Sequence, residues 1–167
     1  MNRTKVGILA LLVLTLPLAS RTVHAEGAAP FDEKAALERL RSLSTWQGAP
    51  ESPDTAVRYE RTGNAVMEIQ HPGTPRQMIS VFYLDQGHLV ATHYCVANQP
   101  HLRLDTAAST PDRLVFAFAG GSNLDPAQDG HLHAGTVQFK PDRVESDWAV
   151  YYKGKELRVD HFRLAPK

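Results

Sequence analysis

His93 and Cys95 stand two residues apart in "THYCVANQP", and His131 and His133 repeat that spacing in "DGHLHAG". In a β-strand, residues i and i+2 project from one face. Imidazole and thiolate are both good ligands for zinc or copper. Two such pairs could close a tetrahedral set or supply an axial ligand to a haem, so a metal- or haem-associated protein is one reading. Cys95 is also the only cysteine. As a nucleophile it would need a base in reach and a third group to orient that base. His93 is a candidate base and Asn98 or Asp129 a candidate orienting group, but the surrounding string carries no cysteine-hydrolase signature. The competing expectation is a buried, unreactive thiol near His93. Cysteine favours interiors, an exposed lone thiol would be oxidised outside the cytoplasm, and no Lys or Arg adjoins it in sequence to activate it. The sequence names neither a cofactor nor a substrate, and a binding protein is expected ahead of an enzyme.

The compartment follows from the first 25 residues. "MNRTK" is a basic head, "VGILALLVLTLPLA" an apolar run short for a bilayer span, and Val23-His24-Ala25 a peptidase-compatible ending. These predict a signal peptide over 1–25, cleavage before Glu26, and an exported (periplasmic or secreted) domain over 26–167. An uncleaved anchor is the alternative, but after cleavage no stable membrane span is expected. The chain has 18 Lys+Arg and 18 Asp+Glu; Arg3, Lys5 and Arg21 lie in the leader, which leaves 15 basic against 18 acidic residues. Such a balance excludes a basic footprint for nucleic acid. A lone cysteine makes no internal disulfide, so the fold must rest on its apolar core.

The elements that position these residues change period along the chain. "FDEKAALERLRSL" has Asp32 as N-cap, Glu33 in the first turn, and Ala36, Leu37, Leu40 and Leu43 as one apolar stripe, which predicts a helix. From "TAVRYERT" onward the period is two. Nine strand-like runs follow at roughly ten-residue spacing, joined by turn chemistry, and a short extended piece at Trp46 would make ten. The pattern predicts an all-β, antiparallel up-and-down barrel of nine to ten strands with one N-terminal helix. "GGSNLDPAQDG" is the longest link and reads as a loop at the barrel mouth. Asn98-Gln99-Pro100 reads as a turn.

With the strands in place, a likeness emerges. Trp46 followed by Gly48 after a helix, then the strand run, resembles the lipocalin-like (calycin) barrels. "HPGTP", "VFYLD", "THYC…NQP", "GHLH" and the late "W…YYKGKE" are similar to exported bacterial proteins of that kind, over nearly the whole mature chain. The resemblance implies a closed barrel and a small, largely apolar ligand in its lumen. The chain departs from secreted lipocalins in lacking their disulfide cysteines and a C-terminal helix.

Strand alternation sharpens the expected lining. Trp148 shares a face with Val144, Ser146 and Val150, opposite Glu145 and Asp147, and should point inward. The His131–His133 face is the better lumen candidate of its strand, whereas the His93–Cys95 strand is ambiguous. Glu68 is expected to be solvated, with Met67 inward. The expected ligand-binding residues are Met78, Phe82, His93, Cys95, Phe116, Phe118, His133 and Trp148; the expected metal set is His93, Cys95, His131 and His133.

Overall fold

A computed structural model describes residues 30–48 and 56–166. The expected leader and its cleavage site lie outside the described residues. The element order is one helix, α1 (Glu33–Ser42), a 3-10 turn (Leu43–Thr45) and ten strands: β1 (Trp46–Gly48), β2 (Val57–Thr62), β3 (Ala65–Gln70), β4 (Met78–Asp85), β5 (His88–Tyr94), β6 (Gln99–Leu104), β7 (Arg113–Ser122), β8 (His131–Phe139), β9 (Val144–Tyr152) and β10 (Lys155–Pro166). From β2 to β10 each strand pairs antiparallel with the next in sequence, and β1 pairs with the end of β10 through Trp46–Pro166 and Gly48–Leu164. The result is an up-and-down, nearly closed barrel with one N-terminal helix. At Gly48 the sheet's two ends approach closely: a Cβ there would lie 3.2 Å from the Val57 nitrogen. Among the described residues no helix is long and apolar enough to cross a membrane.

The helix begins where its cap directs. Asp32 accepts a hydrogen bond from the Ala35 amide at 2.9 Å, satisfying an orphan donor of the first turn. Glu33 does more than complement the dipole. Its carboxylate accepts from the Leu89 amide at 2.5 Å and meets His88 Nδ1 at 3.1 Å, tying α1 to the β4–β5 turn. Arg41 reaches the Gly63 carbonyl in the β2–β3 turn. Arg39 pairs with Asp112 before β7 and stacks on Phe139 at the end of β8. These four turns lie at one barrel end, which α1 closes with buried Ala36, Leu37, Leu40 and Leu43. Trp46 is only half-buried and packs against this core, so it is a flank of the plug.

The lumen is filled at mid-height. Phe82, Phe116 and Trp148 are fully buried, with centroids 5.4–6.1 Å apart. Trp148 pairs with Gly135 across β8–β9, and its indole occupies the space a side chain at 135 would need: an added Cβ would collide with Cε3 and Cζ3. A glycine in a strand costs entropy, and here it makes room for the largest side chain in the core. The inward direction expected of Trp148 is the one observed.

Candidate functional site

Two cross-strand rows set the barrel's inner face above the helix plug. The first is apolar: Val66, Phe82, Ala91 and Leu102 stand opposite one another on β3 to β6. The second, one step toward the open end, is polar: Tyr59, Glu68, Ser80 and His93 occupy successive register positions on β2 to β5. All four are buried, and Glu68 is 0% exposed. This overturns the expectation of a solvated Glu68. β3 is buried on both faces, with Ala65 and Ile69 on one and Val66, Glu68 and Gln70 on the other, while Met67 is only half-buried.

Glu68 is held by donors on both oxygens. The Tyr59 hydroxyl donates to Oε2, and Gln70 Nε2 donates to Oε1 at 2.6 Å. Burial pushes the carboxyl up, and the hydrogen bonds from Tyr59 and Gln70 pull it back only in part. Trp148 Nε1 and Ser146 Oγ are buried beside this group, neither with a partner of good hydrogen-bond geometry among the described residues.

At the other end of the row, Ser80 Oγ and His93 Nδ1 are 2.9 Å apart. His93 is 3% exposed, and burial pushes its imidazole down to about 4 despite the nearby Asp160 carboxylate. The ring is therefore neutral at physiological pH. Ser80 is 1% exposed and lines neither of the two cavities described below, so its contact serves to orient the His93 ring.

His93, at the end of this row, and Gln70, which holds Glu68, line a cavity of about 260 Å³ at the end opposite α1. Gln70, His93, Cys95, His131, Arg158 and Asp160 supply its polar lining; Met78, Val96, Leu132, Val150 and Leu157 supply its apolar lining. Arg158 Nε and Asp160 Oδ1 pair at 2.9 Å. A second cavity of about 590 Å³ adjoins it and shares Met78, Val96, Arg158 and Asp160. This one opens between β10 and the β3–β4 link, with Arg76, His71 and His161 on its walls. Val96 is 97% exposed and Leu157, the extra residue of a β10 bulge, is 60% exposed, so the shared mouth has an apolar rim.

The expected binding residues separate into three groups. Met78, His93 and Cys95 line the smaller cavity. Phe82, Phe116 and Trp148 fill the lumen below it and line neither cavity. Phe118 and His133 form a stack: His133 lies between Phe118 at 4.9 Å and Tyr151 at 4.0 Å. A bulge explains that position. Leu132 pairs with Val150 but Ala134 pairs with Ala149, so His133 is an inserted residue and the expected common face of His131 and His133 is broken.

The four-ligand metal set is not assembled. His131 Nδ1 meets the Asp129 carbonyl and Nε2 meets His133 Nδ1, both at 3.0 Å, so its two nitrogens are engaged within its own strand and loop. Among the described residues no group of three or more His, Cys, Asp and Glu is arranged to hold a metal ion. Cys95 is half-buried, not fully enclosed as expected, because β5 ends at Tyr94 and the thiol sits on the cavity wall. Its Sγ donates toward Asn98 O and Oδ1 at 3.3 and 3.2 Å. Asn98 Nδ2 in turn donates to the Gly130 carbonyl, bracing the β5–β6 turn against the long β7–β8 loop. The turn expected at Asn98-Gln99-Pro100 lies earlier, over Cys95–Asn98, because Gln99 and Pro100 already pair with Ser122 and Gly121 as the start of β6.

Sequence reasoning missed Tyr59, Gln70, Ser80 and Asp160. One signal was available: Met78, Ser80 and Phe82 alternate on one face, which places a serine among inward apolar residues. The chain matches no protein-family model, no curated protein and no solved structure.

Proposed function

We propose that this chain is an exported binding barrel that holds a small, largely apolar molecule at its open end, in the connected cavities around Met78. One observation carries the reading: an apolar-rimmed mouth leads down to a floor of nearly fully buried polar side chains, Gln70 and His93. Concave, mainly apolar sites with a few convergent polar groups are the usual form of small-molecule sites. The larger cavity, at about 590 Å³, lies within the usual size range. Export rests on the leader-like first 25 residues, and the resemblance to lipocalin-like barrels points the same way. Relative to the sequence expectation, the ligand moves from mid-lumen to mouth, because three aromatic rings occupy mid-lumen.

Native mass spectrometry of protein purified from its own compartment tests this. A bound apolar molecule is expected on the wild type, released by organic solvent and absent from Met78→Trp, whose indole would fill the region both cavities share. Equal ligand loading of Met78→Trp and wild type would count against the mouth as the site.

A further inference from the structure

We infer that the ligand's head group is uncharged and hydrogen-bonding, a hydroxyl or primary amide, seated between Gln70 Oε1 and His93 Nε2; this rests on the binding reading above. The smaller cavity is short of available charge. Among the described residues, Arg158 and Asp160 are the lining side chains with formal charge, and they pair with each other. Its other polar side chains are mostly engaged. His131 has partners on both nitrogens, and the Cys95 thiol points to Asn98. Gln70 gives its amide nitrogen to Glu68, and His93 gives Nδ1 to Ser80. That leaves Gln70 Oε1 and His93 Nε2, which have no hydrogen-bond partner among the described residues, on side chains 1% and 3% exposed.

The two atoms select by chemistry. Gln70 Oε1 accepts only. His93 Nε2 donates or accepts according to tautomer, which the Ser80 contact permits in either sense. A primary amide, with two N–H donors and a carbonyl, can donate to the first and complement either form of the second, and a hydroxyl, with one proton, can donate to the first while accepting from the second when Nε2 carries its hydrogen. A carboxylate would meet an acceptor oxygen, and the Arg158 guanidinium on the cavity wall already pairs with Asp160. An alkylammonium would find the Asp160 carboxylate already paired. Burying an uncompensated charge is costly, whereas a neutral head leaves no group unpaired. The larger cavity has both Arg76 and Arg158 on its walls, so carboxylate binding is the contrasting outcome to test.

Calorimetric titration with compounds of one medium chain length tests this: the primary alcohol, the primary amide, the carboxylate, the alkylammonium and the parent alkane. The alcohol and amide are expected to bind at least ~10-fold more tightly than either ion. His93→Phe and Gln70→Leu should each reduce that preference while keeping affinity for the alkane, with thermal melts reporting that each variant is folded. Should one variant fail to fold, the other carries the same comparison. Tightest binding of the carboxylate would overturn the inference in favour of the Arg76–Arg158 side, as would an undiminished alcohol preference in the folded variants. Failure of every compound to bind would instead remove the binding-barrel reading itself.

Discussion

Ser80 Oγ and His93 Nδ1 face each other at 2.9 Å across the paired β4 and β5 strands, both side chains buried in the barrel's polar row. The contact fixes the imidazole so that its other nitrogen meets the mouth cavity. Burial of the ring also sets an acid limit on the fold. His93 ionises at about 4 when folded and near 6.5 when not, so the unfolded chain binds more protons between those values. His93 then opposes stability increasingly as pH falls from about 6.5 to about 4. The gap corresponds to roughly 3 kcal/mol. Urea melts over that window should show the loss, and His93→Gln should flatten it even though the substitution lowers stability overall. An unchanged slope in the variant would contradict a neutral, buried His93.

Glu68 works in the opposite direction. Burial raises its folded value above the ordinary 4.5, so the folded protein retains a proton the unfolded chain releases. The associated stability is complete below about pH 4.5 and is lost as pH rises through the folded value. Glu68→Gln should therefore melt less steeply with rising pH than the wild type. A wild type whose melting is flat from acid to neutral once the His93 contribution is subtracted would contradict the assignment.

Trp148 and Gly135 form a matched pair. Trp148→Ala is expected to cost about 3–5 kcal/mol, as for other buried aromatic truncations. Gly135→Ala should cost about 1–3 kcal/mol by overpacking. In the Trp148→Ala background the glycine substitution should cost little, since the colliding ring is gone. Denaturant melts of the four-protein cycle check this, and additive costs would place the indole elsewhere.

The sequence made the barrel legible because most strands alternate or are bounded by turn chemistry, and because Asp32 and the Ala36–Leu43 stripe announce the helix. Faces were harder. β3 is buried on both sides, so alternation around Met67 and Glu68 carried no direction, and the polar row stayed hidden. The bulge at His133 shifted one residue out of step, so the two histidines meet each other and no longer project as the regular i, i+2 pair the alternation implied. Such insertions leave no mark on a period-two pattern. Arg158 and Asp160 meet the site only through barrel closure, which brings β10 toward β3 and β4 and is not written in local spacing.

The mouth is the centre of the account, and Cys95 is a reporter already built into its wall. The decisive measurement is the rate at which a small thiol reagent alkylates native Cys95, with and without a medium-chain primary alcohol. The half-buried thiol should react in the native protein. At ten times the alcohol's Kd the reaction should slow by ~10-fold, since only the empty fraction is open to attack. Met78→Trp should bind the alcohol weakly and lose this protection. Alkylation of the wild type at one rate with and without the bound alcohol would contradict a ligand site at the barrel mouth.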